Sequence, residues 1–268
     1  MRHVQRRHPM FGIFWWLMVL FLYLPLGMVV LYSFNSINST AHFAGFSLRW
    51  YRQLLENEEL FSAFKNSMIL AVSSSAIALV LGSMLGYGLY RHRRRGLGWL
   101  IALIYLPVVM PDVVFGLAEM TSFVKVGSWI GLFSPGLTTM TLAHVTFELP
   151  FVALLVYSRF VNMDAALFDA AQDLYASPSK RFTHVILPEI KPALLSSFFL
   201  SFTLSFDDFA ISFFTAGPES ATLPIYIWSS IKRGVSPSIN AIGSLMILAV
   251  MVAVIIMLLG NWRKRARA

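Results

Sequence analysis

Six long apolar runs separated by short polar segments dominate the chain: Phe11–Phe34, Ala63–Tyr90, Leu97–Val124, Leu137–Phe160, Ala193–Ala216 and Ala241–Trp262. A helix crossing a bilayer needs about 20 predominantly apolar residues, and each run reaches that length with room for tilt. The pattern predicts an all-α polytopic membrane protein of about six transmembrane helices, forming one domain over residues 1–268. The first run resembles a secretory signal only superficially. Its apolar stretch is too long, and Tyr32-Ser33-Phe34 is not a small-residue cleavage site, so a retained helix is expected.

Composition agrees with a lipid setting. The chain is 57% hydrophobic and 13% charged, against roughly 45–50% and 25% in soluble domains. Cysteine is absent, which excludes a disulfide framework and thiol chemistry. A net charge of +8 would suggest nucleic acid in a soluble protein. Here all the Lys and Arg residues except Arg49, Arg52, Lys65, Lys125, Lys232 and Arg233 fall in the N-terminus, the 91–95 turn, the 159–192 segment and the C-terminus. That bias places both termini in the cytoplasm. The patch Arg91-His92-Arg93-Arg94-Arg95 then reads as a topology anchor against anionic headgroups, not a nucleic-acid site. Trp15, Trp16, Trp99, Trp129, Trp228 and Trp262 fall near span ends, as interface anchors do.

The outer loops are short. Asn35–Ser62 has enough aromatic and charged residues for a short interfacial helix, and Pro218–Asn240 is the other sizeable loop. Neither is long enough for a folded domain, so a binding domain would have to be a separate chain. No convincing internal repeat is present, which weakens an inverted-repeat secondary transporter.

The most informative polar segment is 162–188, between the fourth and fifth runs. Leu167, Ala170, Ala171 and Leu174 share one helical face at i, i+3, i+4 and i+7. Asp164 is placed to cap this helix. Ser177-Pro178 marks a second start, serine as N-cap and proline at the first helical position. Phe182, Val185 and Ile186 extend an apolar face, and Leu187-Pro188 is expected to end the helix because proline disfavours helix in the residue before it. Spacing alone permits a helix pair resting on the membrane or one that docks into a partner.

The string Asp169-Ala170-Ala171-Gln172-Asp173-Leu174-Tyr175-Ala176-Ser177, followed by Ile186-Leu187-Pro188, resembles the EAA loop of bacterial ABC importer permeases. Tyr32-Ser33-Phe34-Asn35, Gly45-Phe46-Ser47-Leu48-Arg49-Trp50-Tyr51, Pro111-Asp112-Val113-Val114 and Leu204-Ser205-Phe206-Asp207-Asp208 extend the resemblance to polyamine (spermidine/putrescine) importer permeases of the PotC/PotI type. The resemblance implies a type I ABC importer permease fold in a bacterial inner membrane. It implies a second homologous permease subunit, a dimer of ATP-binding subunits holding ATP and Mg, and an external substrate-binding protein. Asp169, Ala170, Ala171, Asp173, Leu174, Tyr175, Ala176, Leu187 and Pro188 would then couple to the ATPase. Two positions depart from the family: Asp169 replaces glutamate, and Tyr175 stands where a glycine is expected. A bulky residue in a left-handed turn costs roughly 1 kcal/mol or more, so either a turn of different shape or a different coupling is expected.

Independently of that resemblance, five acids fall in or near spans: Asp112, Glu119, Glu148, Asp207 and Asp208. A charge at the bilayer centre costs about 2.5–3.5 kcal/mol on insertion scales. No Lys or Arg lies well inside a span, so these acids are expected to line a water-filled path for a cation. Asp207 and Asp208, adjacent on a helix, would point about 100° apart, so one would face the path and the other a neighbouring helix. Pro107 and Pro111 are expected to break the third span. Gly82-Ser83-Met84-Leu85-Gly86 fits close helix packing.

None of the six lysines follows glycine, so the chain has no Walker A loop and no nucleotide site of its own. The six histidines are scattered without metal spacing or a serine-based catalytic set, and no cofactor is expected on this chain. A translocating subunit powered by another chain therefore reads better than a membrane enzyme. The alternative is a stand-alone secondary transporter or channel for cations.

Overall fold

The computed structural model describes residues 9–92, 96, 98–130, 133–234 and 236–265. Arg93, Arg94, Arg95, Leu97 and the side chain of Trp262 lie outside the described residues. The helices are α1 (Pro9–Ser33), α2 (Arg49–Leu55), α3 (Glu58–His92), α4 (Gly98–Val109), α5 (Asp112–Ile130), α6 (Leu137–Val161), α7 (Ala165–Asp173), α8 (Pro178–Arg181), α9 (Leu187–Phe206), α10 (Ala210–Thr215), α11 (Leu223–Arg233) and α12 (Pro237–Arg265). Five are long and apolar enough to cross a membrane, and the bent pair α4–α5 makes a sixth when counted as one span. The six expected spans are present, and the fold is all-α.

The chain divides into two compact units. The first comprises residues 1–58 and 227–268. In it α1 packs along α12, and α2 packs on α12. The loop after α1 is built round Asn35, which is fully buried. Its Nδ2 donates to the carbonyls of Ser39 and His42 at 2.7 and 2.8 Å, and its Oδ1 accepts from the Ala44 amide at 2.9 Å. Trp50 Nε1 donates to the Asn35 carbonyl at 2.6 Å. A buried amide is stable only with its partners supplied, and here the loop wraps itself round that side chain. The expected short helix is α2.

The second unit, residues 59–226, carries α3 to α10. Gly82 and Gly86 let α6 approach α3 closely: a Cβ on Gly82 would lie 2.6 Å from Val152 Cβ, and one on Gly86 2.6 Å from the Ala153 carbonyl oxygen. Ala78, Val152, Val156, Phe160, Met163 and Ile190 form a core between α3, α6 and α9. A second core joins Phe115, Ala143, Phe147 and Ile211.

Three expectations are corrected. The third span breaks by 107° between Val109 and Asp112, so Pro111 breaks it while Pro107 lies within α4. Leu187-Pro188 does not end the second polar helix. Residues Phe182–Ile186 form a π turn in which the Leu187 amide bonds to the Phe182 carbonyl, and the chain runs helically from Pro178 to Phe206. The wider turn accommodates a proline that lacks the amide of an α-helical ladder. The fifth span stops at Phe206 instead of continuing to Ala216, because Asp207, Asp208 and Phe209 separate α9 from α10. The loop 218–240 contains α11.

Candidate functional site

The coupling segment begins as its sequence dictates. Asp164 caps α7 by accepting from the Ala166 amide at 2.9 Å. Asp169, Ala170 and Asp173 lie exposed on α7, and Ala171 is turned inward. The helix closes on a left-handed residue, and that residue is Tyr175, with φ +53°. The Ala176 amide bonds to the Ala171 carbonyl at 3.1 Å and the Tyr175 amide to the Gln172 carbonyl at 2.9 Å. These are the two bonds of a Schellman stop. Of the two alternatives, a turn of different shape is not found: the stop keeps the form a glycine would give it, and tyrosine bears the strain. Among the described residues Tyr175 is the one non-glycine at positive φ. Its side chain is 96% exposed and that of Leu174 81% exposed. Ser177 then caps α8, accepting from the Lys180 amide at 3.4 Å, with Pro178 in the first turn. Leu187 and Pro188 lie exposed where α9 begins.

The membrane acids separate into two groups. Asp112 is exposed in the first turn of α5 and Asp207 is exposed at the end of α9. Glu119 is half-buried and accepts from Thr146 Oγ1 at 2.8 Å, linking α5 to α6. Glu148 and Asp208 instead belong to a polar layer inside the second unit. Glu148 has no exposed surface. It accepts from Ser74 Oγ at 2.8 Å, while its second carboxylate oxygen has no partner. Ser74 Oγ lies 3.1 Å from Ser205 Oγ, and Ser205 Oγ lies 2.8 Å from His144 Nδ1. His144 Nε2 lies 3.1 Å from Ser212 Oγ and 3.5 Å from Asp208 Oδ2. Asp208 also accepts from the amides of Ile211 and Ser212 at 3.3 and 2.8 Å, which caps α10.

Glu148 and Asp208 thus do not face water within this chain. A continuous polar chain meets Asp208 and one oxygen of Glu148, as burial in a low-dielectric interior favours, and leaves the other Glu148 oxygen without a partner. Asp208 takes the neighbouring-helix role expected of one member of the pair, though a break in the helix, not a 100° turn, separates it from Asp207. His144 was missed as a partner, and it does meet two serines and an acid. Its partners lie 61 and 68 residues away in sequence, and the one available signal was a histidine inside an otherwise apolar run.

The fold is one shared with chains of ABC transporters. The fold superposes on a chain of the bacterial ABC transporter that imports the acidic polysaccharide alginate with TM-score 0.72 at 15% identity, covering 97% of this chain and 99% of that one. It matches a chain of the MetNI methionine ABC transporter with TM-score 0.61 at 18% identity, covering 78% of this chain and 96% of that one. Residues 78–264 match the family of binding-protein-dependent transport system inner membrane components, and the chain belongs to that family. It is 41% identical to the putrescine transport system permease protein PotI of Escherichia coli K12 over 86% of this chain and 83% of that protein. It is 36% identical to the spermidine/putrescine permease PotC of the same strain, over 88% and 87%. To PotC of Haemophilus influenzae it is 34% identical, over 88% and 90%.

Proposed function

We propose that this chain is one of two permease subunits of a polyamine importer, moving putrescine or spermidine inward by alternating access. The observation that carries this reading is its 41% and 36% identity to two polyamine permeases over more than four fifths of its length. Both termini face the cytoplasm, as the distribution of Lys and Arg favours. The segment 162–188 docks into an ATP-binding subunit, which holds ATP and Mg, and an external binding protein delivers the cation. Asp207 and Asp112, exposed at helix breaks, are the acids best placed to meet it. Protruding Leu174 and Tyr175 support the docking role, since large apolar side chains so exposed mark interaction surfaces.

The test is uptake of labelled putrescine and spermidine in cells lacking other polyamine importers, with the chain expressed beside its partner subunits. Saturable uptake that requires ATP is expected. Uptake driven by an ion gradient through this chain alone in liposomes would make it a secondary transporter instead. Ala171→Glu is expected to abolish co-purification with the ATPase subunit.

A further inference from the structure

Arg159 stands in the last turn of α6, just before the coupling segment, and Glu189 in the first turn of α9, just after it. Arg159 Nη2 donates to Glu189 Oε2 at 2.7 Å, and its Nε donates to the main-chain carbonyl of the same residue at 2.7 Å. One guanidinium thus grips both the side chain and the backbone of α9. Arginine can do this because its planar fork presents several donors in fixed directions.

Beside the pair lies the apolar cluster of Phe160, Met163 and Ile190, with Ile186 packed against it. The two side chains are still 38% and 39% exposed. Ion pairs that open to solvent contribute little to stability, which makes this one a weak fastener for the fold. Its place suggests another use. From Pro178 the polar helix runs through the π turn into α9 without interruption, so a force on α8 reaches α9 directly. It reaches α6 by covalent connection only through residues 162–164, none of which is helical.

We propose that Arg159 and Glu189 form a clamp that makes α6 and α9 move together when the coupling segment is displaced. They are positioning residues for transport, and the proposal rests on reading 162–188 as the ATPase-docking element. Without the clamp, movement of the segment would reach α6 only through the apolar packing round Phe160, Met163 and Ile190, and more hydrolysis would proceed without full translocation.

The experiment uses the complete complex reconstituted in liposomes, and measures putrescine moved per ATP hydrolysed for Arg159→Ala, Glu189→Ala and the exchanged pair Arg159→Glu with Glu189→Arg. The single variants are expected to assemble and hydrolyse ATP while moving about fivefold less putrescine per ATP, corresponding to about 1 kcal/mol of lost coupling. The exchanged pair is expected to recover at least half of the deficit. Single variants with an unchanged ratio would overturn the proposal, as would an assembled exchanged pair no better than the worse single variant. Loss of assembly in Arg159→Ala would also overturn it, by placing the pair in docking or folding. Failure of the underlying docking reading is separately visible, as an Ala171→Glu complex that still assembles and transports.

Discussion

His144 Nε2 on α6 lies 3.5 Å from Asp208 Oδ2 in the break between α9 and α10. Through this contact the fourth span holds the interrupted end of the fifth. The same ring reaches Ser205 and Ser212 on either side of the break, so one side chain bridges both ends of the interruption.

His144→Phe keeps a ring of similar size and removes every one of these bonds. Each buried group left without a partner costs about 1–3 kcal/mol. The variant is expected to melt at lower temperature in detergent and to lose most uptake. His144→Gln, which can still meet two partners, should recover part of both. A His144→Phe variant with wild-type melting would show that the ring does not hold the break.

Glu148→Gln is expected to fold and transport close to the wild type. The carboxylate is sealed inside the unit with one oxygen unpartnered, and the nearby Ser75 hydroxyl also lacks a partner. Glutamine keeps the shape, keeps an acceptor for Ser74 and adds a donor on the empty side. Replacing a buried carboxyl by an amide of the same shape while retaining its hydrogen bonds costs little. Glu148→Ala leaves a void and an orphaned Ser74, and should destabilise by a few kcal/mol. Thermal melting and uptake measured on both variants decide this. Normal assembly with abolished uptake in Glu148→Gln would mean that the charge itself is used.

Gly82→Ala and Gly86→Ala should both be poorly tolerated. A Cβ on Gly82 would lie 2.6 Å from Val152 Cβ, which is fixed to its helix backbone, and one on Gly86 would lie 2.6 Å from the Ala153 carbonyl oxygen. Neither obstacle can swing aside, and forcing an extra methyl into a packed contact costs about 1–3 kcal/mol. Melting temperatures of both variants in detergent should fall, and a wild-type melt for either would show that the helices do not need that close approach.

Tyr175→Gly is expected to leave the helix stop intact, since glycine enters the left-handed region without a Cβ penalty. Tyr175→Val should loosen it by about 1–2 kcal/mol, a branched side chain being poorly suited to φ +53°. Hydrogen exchange at the Ala176 amide, which closes the stop, reports the turn directly. If the valine variant protects that amide as well as glycine does, strain is not borne at residue 175. Loss of ATPase stimulation in Tyr175→Gly with the turn preserved would assign the exposed ring to the partner.

Much of the architecture was legible because length and hydropathy govern membrane spans so strongly. Asp164 and Ser177-Pro178 announced the two polar helices through capping chemistry confined to a few residues. What escaped the sequence depends on distant or competing effects. Proline at position 188 has a local preference to stop a helix, and a π turn overrode it. The break after Phe206 contains neither proline nor glycine, and it is stabilised by Asp208 capping α10 and by a histidine 64 residues earlier in the chain. Glu119 and Glu148 looked unpartnered because they are met by hydroxyls, of Thr146 and Ser74, which an inventory of Lys and Arg does not count. Asp208 is met by two backbone amides and by a histidine from another span.

The π turn sets a phase. A turn closed from Leu187 to Phe182 holds one residue more than an α-turn, and each helical residue advances about 100°. Deleting one residue between 182 and 186 would restore ordinary winding and rotate α8, with the Tyr175 knob beyond it, by roughly that angle relative to α9. The protruding tyrosine would then present itself on a different side while every other residue kept its identity. The direction in which this permease offers its handle is therefore encoded by residue number in a single turn, as the setting of a cam is by its keyway.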